Sequence, residues 1–204
     1  MSTITLLSGV PGSGKSYWAK NNKTPNTIIV NRDAIREMIH GSYKVGDKES
    51  FITDMVYHTI SHAIYKKFDV IVDETLVKRS GREKFIKDVK RNAENFTGEK
   101  INFRCVQFKP LSYNIMIDNR MLSPKGQSRR IWGSVILNMI EKFERAEISE
   151  GFDDIIEIMV KDYALESLKM IFRQVNHSEL EDIKECATCE SASGECNYKS
   201  CEKE

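Results

Sequence analysis

The stretch Gly9-Val10-Pro11-Gly12-Ser13-Gly14-Lys15-Ser16 follows directly on Thr3–Ser8 (TITLLS), and a helical stretch, Ser16–Asn21, follows it. The TITLLS run is apolar and β-branched and reads as a strand. The spacing of the glycines, lysine and serine is G-x-x-x-x-G-K-S. Its glycines let successive backbone N–H groups turn inward, which builds a concave anion site between strand and helix. A lysine at position 15 reaches β- and γ-phosphates, and the Ser16 hydroxyl is placed to hold Mg²⁺. A full match in this strand–turn–helix setting is more than a glycine-rich turn with an incidental lysine. Residues Gly9 to Ser16 are therefore assigned to binding a nucleoside triphosphate.

Outward from this stretch the chain alternates short apolar runs with amphipathic ones. Asn26–Asn31 (NTIIVN), Asp69–Thr75 (DVIVDET) and Ile101–Phe108 (INFRCVQF) read as further strands, with a weaker one at Asp154–Met159. Between Lys48 and Phe68 the residues Ile52, Met55, Val56, Thr59, Ile60, Ala63 and Ile64 recur with the helical period. Helical patterns also follow Asp33, Ser80, Ser112, Ile131 and Asp162. Strand and helix in alternation predict an α/β fold, a parallel sheet covered by helices on both faces. The aliphatic periodicity stops near Asn176, so the expected organisation is one domain over 1–175 and a short tail over 176–204.

The 204 residues are 40% hydrophobic and 30% charged, enough apolar matter for a real core. No window approaches the roughly 18 uninterrupted apolar residues of a membrane span. The N-terminus lacks a basic-then-apolar leader, and the expectation is a cytoplasmic protein with no membrane partner. The net charge of +1 conceals an asymmetry: residues 176–204 hold eight acids and three lysines, a net −5, which leaves +6 on residues 1–175. A basic body suits a polyanionic substrate.

Three segments narrow the chemistry. The third strand ends in Asp73, where a nucleotide-binding sheet places an acidic residue near the metal, and Glu74 and Thr75 stand beside it as candidate substrate contacts. The second strand runs into Asn31-Arg32-Asp33-Ala34-Ile35-Arg36. This sets a carboxylate and two guanidiniums at the carboxyl edge of the sheet, where open α/β sheets bind ligands. A carboxylate there can take the proton of an attacking hydroxyl, and Arg36 projects from the same helical face one turn on. The alternative, that Asp33 merely caps a helix over Ala34–His40, stays open at this level. Finally Asn119–Arg130 (NRMLSPKGQSRR) joins two helical patterns and holds Arg120, Lys125, Arg129 and Arg130 with no acid. It is a candidate lid, at about 119–130, that closes on phosphates during transfer. No N-K-x-D guanine signal is present.

GVPGSGKSYWAK, VNRDAIR, VIVDET and the basic R-x-x-x-x-K-G lid, in this order, resemble the kinase domain of the phage polynucleotide 5′-kinase family over roughly residues 1–145. The resemblance implies transfer of the ATP γ-phosphoryl group to the 5′-hydroxyl end of DNA or RNA, with ATP and Mg²⁺ as cofactors. It implies Asp33 as general base, Arg36 as the grip on the substrate's 3′-phosphate, and Lys15, Arg120 and Lys125 at the transferring group. Ser16 and Asp73 fall to Mg²⁺, and Arg129 and Arg130 to the nucleotide. Two departures stand out. Leu76 replaces a polar residue after the third strand, and the second lid cation is Lys125 or is displaced to Arg129 or Arg130. No D-x-D-x-T phosphatase motif occurs. The alternatives are a P-loop kinase of a small hydroxylated molecule, such as a nucleotide sugar or antibiotic, and a nucleotide-dependent binding protein with little turnover.

The tail carries Cys186, Cys189, Cys196 and Cys201. Four thiols opening on C-x-x-C fit a tetrahedral Zn²⁺ site, yet the closing pair is four apart rather than two, so a reduced, metal-free tail is the competing reading. His58 and His62, spaced i and i+4 with no third ligand, read as a solvent-side pair. Trp18 and Trp132 read as core or lid packing, and Cys105 as a small buried hydrophobe.

Overall fold

The structure is a computed structural model, and it describes residues 1–41, 48–98, 100–122 and 127–158. Five parallel strands form one sheet: β1 (Thr3–Ser8), β2 (Thr27–Val30), β3 (Asp69–Asp73), β4 (Asn102–Phe108) and β5 (Asp154–Ile158), in the order β2-β3-β1-β4-β5. Register is set by apolar positions facing one another: Leu6 lies beside Val72 of β3 and beside Cys105 of β4. Six α-helices accompany them: α1 (Lys15–Asn21), α2 (Arg32–His40), α3 (Glu49–Tyr65), α4 (Arg79–Thr97), α5 (Tyr113–Met121) and α6 (Arg129–Glu141).

The pleat divides the core. Ile4 and Leu6 of β1 face a cluster that includes Val56, Ile60 and Ile64 of α3 and Phe85, Ile86 and Val89 of α4. Leu7 points the other way, packing with Ile71, Val106, Phe108 and Ala19 of α1. Helices thus cover both faces, as the buried, continuously apolar strands require. A third cluster joins Val10 of the loop after β1 and Val77 of the loop after β3 to Met116, Ile117 and Ile136. Through it α5 and α6 sit over the carboxyl edge of the sheet. Strand order reverses around β1, which places the ligand crevice at that edge.

Sequence boundaries shift by one to three residues. The apolar stripe of α3 is as expected, but the helix ends at Tyr65 because Lys67 takes a left-handed conformation (φ 64°) and turns the chain into β3. His58 and His62 are exposed, and Cys105 is buried, which pushes its thiol up to about 12. The helical pattern after Asp162, the break near Asn176 and the four tail cysteines lie outside the described residues, as does Lys125.

Behind β3 a buried ion pair fastens the edge loops. Arg82 of α4 and Glu150 are both fully buried, paired through Nε and Nη2 at 2.7 Å each. The remaining donors of Arg82 reach the carbonyls of Leu76, Val77, Glu144 and Arg145. Arg82 therefore fixes the turn that carries the chain out of β3.

Candidate active site

The loop Gly9–Gly14 is shaped by two glycines. Gly12 has φ 82°, and a Cβ there would lie 2.3 Å from the Met116 carbonyl oxygen; Gly14 has φ 92° with open space where its Cβ would be. Side chains are barred at the first by the approach of α5 and at both by the left-handed backbone. Gly9 N–H donates to the Thr75 carbonyl (3.0 Å), and the Asn119 amide of α5 donates to the Gly12 carbonyl (2.8 Å). The loop is thus anchored to the end of β3 on one side and to the last turn of α5 on the other. Lys15, only 7% exposed, donates from Nζ to the carbonyls of Gly9 (2.8 Å) and Val10 (2.9 Å). Ser16 is exposed at the start of α1.

Asp73 ends β3 beside Leu7 and is 8% exposed. Its Oδ2 accepts from the Asn31 amide (3.0 Å), which also reaches the Asp73 carbonyl (3.1 Å). The same Asn31 accepts at Oδ1 from Ala34 N–H (2.9 Å) and is the N-cap of α2. The helix begins at Arg32, two residues before the start considered from the sequence, and Asp33 is in its first turn rather than at its cap. The capping reading of Asp33 is therefore replaced: Asn31 performs it. One asparagine joins the second and third strand ends.

Around Asp33 the charges interleave. Arg36 donates to Asp33 and grips Glu49 with Nε (3.0 Å) and Nη2. Arg32 donates to Glu49 (3.1 Å), to the Thr53 hydroxyl (2.7 Å) and to Glu74 (3.3 Å). Hydrogen bonding from Arg36 is the main cause that holds the Glu49 carboxyl below its ordinary value, and the same bond raises Arg36. Glu49 was missed by sequence reasoning. A lone acid opening a helix is what the helix dipole favours anywhere, so nothing marked this one as a partner of residues 13 or more positions earlier.

Arg120 closes this site from α5. Its guanidinium carbon lies 3.9 Å from the centre of the Trp132 ring. Burial lowers its pKa, while the charges of Asp33 and Asp73 act in the opposite direction. Its buried Nε has no acceptor among the described residues. Of the other lid cations, Arg129 pairs with Asp118 at the surface (2.6 Å) and Arg130 is exposed. Thr75 contributes its carbonyl to Gly9, and Glu74 its carboxylate to Arg32. The structure thus brings Asp33, Arg36, Asp73, Glu74, Thr75 and Arg120 to the edge where the Gly9–Ser16 loop lies. Among the described residues no group of three or more His, Cys, Asp or Glu side chains could hold a metal by itself.

A family model described as an AAA domain matches residues 4–110, from β1 through the phosphate loop and past β4. The chain belongs to the AAA domain family. Together with the parallel five-stranded sheet, the match gives this chain a P-loop kinase fold, which implies ATP with a divalent cation. The L-seryl-tRNA(Sec) kinase of Methanococcus maripaludis is 31% identical over 160 residues, covering 74% of this chain and 56% of the relative. The chain thus spans little more than half the length of that relative. Among solved structures, a fungal RNA kinase superposes with a TM-score of 0.56 at 16% identity, over 90% of this chain and 89% of that chain. A chain of the Pnkp1/Rnl/Hen1 RNA repair complex gives 0.52 at 22% identity, over 70% of this chain and 46% of that one. These two likenesses are of fold. No helix among the described residues is long and apolar enough to cross a membrane.

Proposed function

We propose that this P-loop kinase transfers the γ-phosphoryl group of ATP to a 5′-hydroxyl end of a polynucleotide, with RNA the favoured substrate. The observation that carries the reading is the position of Asp33. It is relieved of capping by Asn31, it is held by Arg36, and it stands in the field of Arg120. The acceptor hydroxyl gives its proton to Asp33 as its oxygen bonds to the γ-phosphorus; the bond from that phosphorus to the bridging oxygen breaks, and ADP leaves. Lys15 and the loop N–H groups hold the phosphates, and Arg120 stabilises charge on the transferring group. The donor set fits a phosphate-bound divalent cation: the exposed Ser16 hydroxyl opens α1, and the sequestered Asp73 carboxylate ends β3. Ser16 and Asp73 would hold Mg²⁺, which would supply neutralisation of phosphate charge there. RNA is favoured because two of the similar proteins are named for RNA kinase or repair and a third for a tRNA substrate.

The similarity to a seryl-tRNA(Sec) kinase supports a second reading, in which the acceptor is the serine hydroxyl of an aminoacyl-tRNA presented to the same Asp33. Radiolabel transfer from γ-labelled ATP separates the two. A 5′-hydroxyl oligoribonucleotide should be labelled and seryl-tRNA should not; the reverse result selects the second reading. Asp33→Asn should lower transfer by about 10²–10⁴-fold with ATP binding retained, since an amide cannot take the proton. Turnover within a few-fold of the parent removes Asp33 from the base role.

A further inference from the structure

Arg120 stands in the last turn of α5 and Trp132 near the start of α6, on the two sides of the segment that joins these helices. The indole is 8% exposed, and the guanidinium lies over its face. All five N–H donors of a guanidinium lie in its plane. A carboxylate partner takes two of them, whereas stacking on a ring holds the flat side and leaves the donor edge open. The neighbouring arginines are held by carboxylates, through one donor or two: Arg32 by Glu49 and Glu74, Arg36 by Asp33 and Glu49, Arg129 by Asp118. Among the described residues Arg120 makes no ion pair, although the charges of Asp33 and Asp73 reach it. It is the arginine held against an aromatic ring rather than by a carboxylate.

We propose that Trp132 is a positioning residue for phosphoryl transfer: its indole holds Arg120 so that the guanidinium's N–H edge stays open to the transferring group. The inference rests on the kinase reading of the site. Trp132 touches no reacting atom in it and acts through Arg120 alone. Without the ring, the guanidinium would be freer to move toward Asp33 and Asp73, whose charges already act on it.

The test has a kinetic and a spectroscopic arm. Trp132→Leu should lower kcat about tenfold or more with KM for ATP within about twofold, and Trp132→Phe, which keeps an aromatic face, should recover most of the loss. In an Arg120→Ala background Trp132→Leu should cost nothing further, because the group it positions is gone. The chain has two tryptophans, so Trp18→Phe leaves Trp132 as the sole reporter, and Arg120→Ala should then change its emission. A parent protein that transfers phosphate, combined with a Trp132→Leu loss of equal size with and without Arg120, overturns the positioning role alone. Emission of Trp132 indifferent to Arg120 overturns the stack. A well-folded parent with no transfer to any hydroxyl acceptor overturns the kinase reading and this role with it.

Discussion

Arg82 is fully buried and Arg120 half-buried, and the fold treats them in opposite ways. Arg82 meets Glu150 in a bidentate pair and sends its other donors to four carbonyls, so its hydrogen-bonding capacity is committed to architecture. Arg120 rests on an indole face with an unanswered Nε. A buried charge is ordinarily paired and hydrogen-bonded. The first arginine fixes the loop that carries Thr75 to Gly9; in the kinase reading proposed above, the second is the one that supplies charge at the edge this loop helps to build. The comparison teaches that burial alone does not set the role of a cation: the partners it has, or lacks, are what separate Arg82 from Arg120.

This contrast can be broken in three places. The largest effect is expected at Arg82. Arg82→Met should destabilise the fold by about 3–5 kcal/mol in urea unfolding, because Glu150 is left as an uncompensated buried charge. Adding Glu150→Leu should recover only part of this, since the carbonyls of Leu76, Val77, Glu144 and Arg145 still lack their donor. Full recovery by the double variant would reduce Arg82 to half of an ordinary ion pair. Next in size is Arg120→Ala, which should lower kcat by about 10²–10³-fold in a steady-state transfer assay while unfolding stability and ATP affinity change little. A stability loss comparable to that of Arg82→Met would place Arg120 on the architectural side of the comparison. The smallest effect belongs to Arg129, whose partner Asp118 is as exposed as it is. Arg129→Ala should move stability by less than about 0.5 kcal/mol and turnover by less than about twofold. A marked loss of ATP affinity would instead return Arg129 to the nucleotide-binding role that the basic lid sequence suggests.

Much of the edge was legible in the chain. The G-x-x-x-x-G-K-S spacing, the apolar runs and the placement of Asp33, Arg36 and Asp73 after strands are local patterns, and local patterns survive in one dimension. The residues that sequence reasoning passed over act across long separations. Asn31 reaches Asp73 over 42 positions, and Arg82 reaches Glu150 over 68. Glu49 joins Arg32 and Arg36 only because α3 packs back beside α2, and Trp132 meets Arg120 only because α5 and α6 lie together.

The sequence by itself determined that the chain is a parallel α/β P-loop protein with its phosphate loop after β1 and a carboxylate at the end of β3, because strand period, helix period and glycine spacing are properties of contiguous residues. Tertiary structure alone decided which charges neutralise one another and which stay available. It made Asn31 rather than Asp33 the cap, gave Arg36 to Asp33 and Glu49, and laid Arg120 on an aromatic face. The physical reason is that a charge acts through distance and local dielectric, and neither exists until the chain has folded.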